Sequence, residues 1–193
     1  MSANREEWLN QACRHMQPWV ESAAEGQKFK APLISVGFPK GSRGGKGSTT
    51  IGQCWSEKVS GDKERSHIFI IPTITDPVQV LDIILHELIH ASVGTECGHK
   101  KAFRKVALEV GLLPPMTATT ASQALKRDLV RLSESLGEYP HPGLTVPKRG
   151  SKGSRMRKVM CVNCGCIIRM TGVWLRDIGP PTCGCGGAMI ESQ

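Results

Sequence analysis

The chain has 193 residues, 39% of them hydrophobic, and its 25 Lys and Arg against 17 Asp and Glu leave a net charge of +8. That composition is ordinary for a globular fold and allows one moderate core plus a minor module. No apolar run is long enough to span a bilayer, and Met1 to Gln27 mixes Arg, Glu and Asn with apolar residues in a way unlike a signal peptide. The expectation is therefore a cytoplasmic protein whose eight cysteines serve mostly as metal ligands, not as a disulfide framework.

Trp8, Leu9, Met16, Trp19 and Val20 predict an amphipathic N-terminal helix, which Pro18 kinks or divides into two short helices. Strands are predicted at 33–38, 49–56 and 67–71. Between the first two lies the Gly- and cation-rich run Lys40 to Ser48, which superficially resembles a phosphate-binding loop. The motif fails in detail: Lys40 stands where glycine is required, Gly47 follows Lys46, and a strand follows instead of a helix. Nucleotide binding is rejected there.

A helix is predicted over 77–93. Asp76 supplies an N-cap acceptor, Pro77 the first helical position and Gln79 the N3 amide of a capping box, while Gly94 stops the helix. Apolar residues crowd most of its faces, so it is expected to be buried. Within it stands His86-Glu87-Leu88-Ile89-His90. Residues four apart share a helix face, so both imidazoles can hold one metal with Glu87 beside it. Zinc with three protein ligands keeps a position open for water, whose pKa it lowers to about 7, and Glu87 is the candidate general base.

The third ligand is sought downstream, where a helix is predicted over 99–110 with His99, Phe103, Val106, Ala107 and Val110 on one stripe. The short turn Gly94 to Gly98 brings His99 back to the first helix, making it the favoured ligand. Glu109 is the main competitor, on a different bearing of that helix. Glu96 and Cys97 read as turn residues. Asp82, one turn before His86, is either an acceptor for a ligand histidine N–H or a helix-end carboxylate. A further helix is predicted over 118–136, with Ala121, Leu125, Leu129 and Leu132 at helical spacing.

Proline, glycine, serine and repeated cations mark 138–157 as a flexible basic linker between a first domain, 1–137, and a C-terminal module, 158–193. In that module Cys161-Val162-Asn163-Cys164 and Cys183-Gly184-Cys185 form two pairs at zinc-ribbon separation, with Cys166 as a spare. A module this small needs a structural zinc to fold. Cys13, Cys54 and Cys97 are isolated and expected to be small buried residues. Trp55 and Trp174 are expected to pack in cores, with stacking on a nucleic-acid base as the alternative.

The motif His86-Glu87-Leu88-Ile89-His90-Ala91, followed by Gly98-His99-Lys100-Lys101-Ala102-Phe103, resembles the SprT-like family of zinc peptidases. Ile68 to Pro72, as the strand entering the active helix, and the cysteine-rich C-terminus extend the likeness, which covers roughly residues 33 to 113 well and the tail more loosely. One departure is Lys100, where the family has a second glycine after the histidine. The resemblance implies an α+β zincin-like fold, a catalytic zinc held by His86, His90 and His99, Glu87 as base, and substrates bound or crosslinked to DNA. The positive charge, with Lys148, Arg149, Lys152, Arg155, Arg157 and Lys158 concentrated around the linker, is consistent with sequence-independent contacts to DNA. The rival reading is a nucleic-acid-binding, transcription-related regulator with a structural or unused zinc site. An intact Glu87 favours the enzyme, because a purely structural metal needs ligands but no base.

Overall fold

The computed structural model describes residues 4–40, 50–146 and 156–192. The chain divides into two units, Met1–Pro147 and Lys148–Gln193. Among the described residues no helix is long and apolar enough to cross a membrane.

In the first unit helix α1 spans Arg5–Ala23, with Asn4 capping it by accepting the Glu7 N–H. It runs unbroken through Pro18, where the sequence admitted two short helices. Pro18 lies on the exposed face, and Trp8, Leu9, Ala12, Met16 and Val20 hold the helix against the core along the opposite side. Strands β1 (Leu33–Val36), β2 (Gly52–Trp55) and β3 (His67–Ile70) form one sheet in the order β1-β3-β2, with β1 parallel and β2 antiparallel to β3. Strand β2 is therefore an edge. Residues 41–49, which include most of the Gly- and cation-rich run, lie outside the described residues.

Helix α2 spans Pro77–Val93, as its capping residues predict: Asp76 accepts the Val78 N–H at 3.0 Å, and Gly94 follows the last turn at φ +88°. Val80, Leu81, Ile84, Leu85, Leu88 and Ile89 are fully buried, so this helix is the centre of the core. Helix α3 spans Lys101–Glu109, starting two residues later than predicted because Gly98 and Lys100 hold the preceding turn non-helical. Phe103, Val106 and Ala107 are buried from it.

The helix predicted to begin at 118 begins at Gln123 instead. Ser122 caps α4 (Gln123–Leu136) by accepting the Leu125 N–H, and Thr120–Ala121 form strand β5, paired antiparallel with β4 (Leu112–Leu113). Ala121 thus belongs to a hairpin, although its helical spacing from Leu125 suggested otherwise. The segment beyond α4 also differs from the predicted linker. Tyr139 and His141 are buried, the Trp8 indole N–H donates to Gly137 O at 3.0 Å, and the Leu144 N–H donates to Pro72 O at 2.7 Å. These contacts fasten residues 137–144 to the first unit, so the boundary falls nearer Pro147 than 137.

The second unit is a sheet of β6 (Met156–Cys161), β7 (Ile167–Thr171) and β8 (Met189–Ser192) in the order β7-β6-β8, with a short helix α5 (Gly172–Asp177) after β7. Its core is small: Val159, Cys161 and Met189 are buried, with Ile168, Met170 and Leu175 packed against them. Lys148, Arg149, Lys152 and Arg155 lie outside the described residues, whereas Arg157 and Lys158 fall within β6. The tryptophans correct the expectation of core packing: Trp55, at an edge, is 37% exposed and Trp174 is 57% exposed. Of the isolated cysteines only Cys13 is buried.

Candidate metal centre and catalytic cleft

His90 follows His86 by four positions on α2, so both rings leave the same side, and the turn through Gly94 and Gly98 carries His99 back over them. The Nε2 atoms of His86 and His99 lie 3.1 Å apart, and those of His90 and His99 lie 3.2 Å apart. Three nitrogens bound tetrahedrally to zinc at about 2.0–2.1 Å would stand about 3.3 Å apart. The fit to a single small cation is close, and the three residues form one of the two potential metal-ligand groups among the described residues. Glu109, the competing third ligand, lies elsewhere, lining a groove with Trp19 and Leu132.

Two features orient this group. Phe103, one turn into α3, places its ring 4.8, 4.5 and 4.9 Å from the rings of His86, His90 and His99. It is fully buried and forms an apolar wall shared by all three. The Nδ1 of His86 lies 2.8 Å from the Thr119 hydroxyl oxygen. A metal on Nε2 would leave Nδ1–H to donate to Thr119, which would fix the ring and its tautomer. Thr119 therefore takes the position considered for Asp82, whose carboxylate instead accepts the Ala121 N–H.

Burial pushes the His86 imidazole down to about 3, with the neighbouring His90 and His99 adding to the effect, and pushes His90 down to about 4. His99 shifts in the same direction through burial. All three shifts favour the neutral imidazole that a metal requires.

Glu87 is 6% exposed and projects towards β2, where the Cys54 N–H donates to its carboxylate. Burial nevertheless raises its pKa to about 8. Gly52 makes the approach possible, since a Cβ there would stand 2.7 Å from Glu87 Oε1 and 2.5 Å from Ile83 Cγ2. Around these groups lies a cleft of about 820 Å³, with β2 along one side and Thr117 to Thr120 along another. Asp82 also lines it, with burial raising its carboxyl to about 6. The backbone of β2 faces the cleft as well. Ile51 O accepts the Ile71 N–H, so by antiparallel alternation Gln53 pairs with Phe69 while the peptide groups of Gly52 and Cys54 point away from β3.

The second potential metal-ligand group is Cys161, Cys164, Cys183 and Cys185, whose sulfurs lie within 4.8 Å of one another. Cys161 and Cys185 are 3.5 Å apart, as are Cys164 and Cys183, near the edge of about 3.8 Å expected for four sulfurs at 2.3 Å from zinc. The Cys164 N–H, followed by that of Asn163, holds the Cys161 thiol down to about 6 and so favours the thiolate. Cys166 stays outside the group. Its carbonyl accepts the Cys161 N–H and its side chain is exposed.

The residues of both potential metal-ligand groups are those that the sequence singled out. Sequence reasoning missed Thr119, Phe103 and Gly52, of which Phe103 alone carried a signal, as a member of the stripe containing His99. No protein-family model, curated protein or solved structure matches the chain.

Proposed function

We propose that the first unit is a zinc-dependent endopeptidase of SprT-like type acting on proteins associated with or crosslinked to DNA. The observation that carries the reading is Glu87: a buried carboxylate beside three converging imidazoles, aimed into an open cleft. A metal with a purely structural role has no use for such a group, and its burial would be a cost without return.

His86, His90 and His99 would hold the metal through Nε2, with Phe103 packed against all three rings and Thr119 fixing that of His86. Zinc in that position supplies Lewis acidity, which acidifies water and polarises a substrate carbonyl. Glu87 moves the proton. Its carboxylate takes one from the attacking water and returns it to the leaving amine nitrogen, a cycle suited to a group whose pKa lies near neutrality. The Cys54 N–H keeps the carboxylate aimed during both transfers. An extended substrate fits the cleft through the free edge of β2, where the outward Gly52 N–H and the Gly52 and Cys54 carbonyls offer backbone pairing that is indifferent to side chains, the Cys54 N–H being taken by Glu87. This favours cleavage of many unrelated chains, as a protease for DNA-bound proteins requires. The DNA-associated substrate class comes from the resemblance and the excess of basic residues.

The test compares zinc-loaded wild type with Glu87→Gln on DNA-binding proteins and on the protein itself, with and without single- or double-stranded DNA. The expected result is cleavage by wild type and a loss of at least about a hundredfold in Glu87→Gln, the typical scale for removing a general base. A zinc-loaded wild type as inert as the variant on every substrate sinks the reading.

A further inference from the structure

Away from the cleft, the first unit has a second concavity of about 690 Å³ between α1, the end of α3 and α4. Leu125, Asp128, Leu132 and Ser135 line it from α4, at positions i, i+3, i+7 and i+10. That is the stripe by which one helix packs against another, and at 1.5 Å per residue it runs for about 15 Å. Trp19 and Ser22 face it from α1. Two helices thus flank a groove with no third helix in it among the described residues.

The charge of the groove is one-sided. Helix α1 ends at Ala23 and α3 at Glu109, both lining residues, so the negative ends of two helix dipoles open onto it, and neither helix has a basic residue in its last turn. Glu109 adds a carboxylate at the less favourable end of its own helix. The cations nearby are engaged: Lys105, one turn earlier on α3, pairs with Glu25 at 2.6 Å, and Arg131 on the rim pairs with Asp128 at 3.1 Å. Glu109 has no ion pair among the described residues. In a chain of net charge +8 the groove is therefore a place of excess negative charge. Half-buried Trp19 stands in its wall, over a floor of buried Leu125 and Leu132.

We propose that this groove docks a basic amphipathic helix of a partner protein, with an apolar residue of that helix on Trp19 and a Lys or Arg against Glu109 and the two helix ends. The stripe along α4 fits an occupant of about three helical turns, laid in as a helix in a groove. Charge complementarity selects one that carries cations. An acidic helix would be repelled by Glu109 and both dipoles, a free polyamine would leave Trp19 uncovered, and a second copy of this chain would bring another concave surface where a ridge is needed. The docking surface lies outside the cleft and stands whether or not the cleft is a peptidase.

The test follows the anisotropy of a labelled amphipathic helical peptide of Leu and Lys added to the full zinc-loaded chain carrying Glu87→Gln, so that the probe is not consumed. Glu109→Lys should weaken binding by about tenfold or more, because it replaces an attraction at the interface with a repulsion. Ser135→Lys, which places a cation further along the groove, should weaken it in the same direction. Glu134→Gln, which removes an exposed acid of α4 outside the groove, should change nothing. Binding should also move the emission of Trp19 to the blue, a shift that Trp19→Phe removes. Melting temperature reports that each variant is folded. Unchanged affinity in Glu109→Lys overturns the proposal, as does equal or tighter binding of a Leu and Glu peptide of the same pattern or of a shuffled Leu and Lys peptide, displacement of the probe by equimolar spermine, or a dimer of the free chain that Glu109→Lys dissolves.

Discussion

Thr119 holds His86 by the ring nitrogen opposite the one that faces His99, whereas His90 Nδ1 is buried with no hydrogen-bond partner among the described residues. The ligands are therefore unequal, and the anchored one should dominate affinity. Thr119→Val keeps the shape but removes the acceptor, and zinc affinity at the histidine centre should fall about 10- to 100-fold, the range for losing a ligand's supporting hydrogen bond. Thr119→Ser should restore it, with chelator competition as the measurement. Acid should matter less than unperturbed histidines would suggest. Three imidazoles at the ordinary pKa of about 6.5 would each be mostly protonated at pH 5.5 and would cost zinc affinity about a thousandfold. Here His86 and His90 are held near 3 and 4, so their folded pKa values lie below the unfolded one and both nitrogens stay free down to about those values. Calorimetric titration of Glu87→Gln, in which residue 87 no longer titrates, should show a fall below about tenfold between pH 7.5 and 5.5, arising from His99. In the metal-free fold His86 and His90 oppose stability as pH drops from 6.5 towards 4, because the unfolded chain binds protons that their folded sites refuse, while the raised carboxyls of Glu87 and Asp82 act in the opposite direction over the same fall.

At the scale of elements, the working part of the cleft is the contact between the edge strand β2 and helix α2. Gly52 permits it, and the Cys54 N–H directs Glu87 within it. Adding one methyl in Gly52→Ala forces the ends of Glu87 and Ile83 aside, not backbone, so the fold should persist while the carboxylate moves. A displacement of about 1 Å at a reacting group costs about a hundredfold. The expected outcome is that loss in kcat/KM with zinc content and melting temperature nearly unchanged; a variant with full activity would remove Glu87 alignment from the role of Gly52. This contact also shows where sequence reading ends. Helix α2 was legible because its cap, its proline, its stop and its histidine spacing are all local, and His99 followed because a turn of a few residues has little room to go elsewhere. The start of α3 is set by the non-helical backbone of Gly98 and Lys100, which spacing does not reveal, while the strand at Thr120–Ala121 and the partnership of Thr119 with His86 depend on pairing with other parts of the chain. Ala121 shows the cost: helical spacing with Leu125 was real, yet Ser122 caps the helix after it and hairpin pairing with Leu112 takes it away.

For the whole molecule, the two metal groups stand in units with very different means of staying folded. The first buries α1, α2, α3, α4 and the sheet around a large apolar cluster, and its three histidines line a cleft at the margin of that core. Among the described hydrophobic residues of the second, Val159, Cys161 and Met189 are the buried ones. Burial of such a side chain is worth about 1.5–3 kcal/mol, whereas ordering each residue costs about 1–2 kcal/mol, so this small core cannot hold three strands and a helix unaided. A structural zinc would add about 10–16 kcal/mol of apparent binding energy, more than those three side chains together. Two zinc ions per chain are expected, with His99→Ala losing one and Cys161→Ser the other. Their removal should have opposite consequences. A strong chelator should abolish amide-exchange protection across 156–192 while the first unit keeps a cooperative melt and α2 keeps its slow exchange. His99→Ala should leave protection in both units intact, since its metal serves the cleft and not the core. Protection of β6 that survives both chelation and Cys161→Ser would show that the sheet folds without its four-cysteine site.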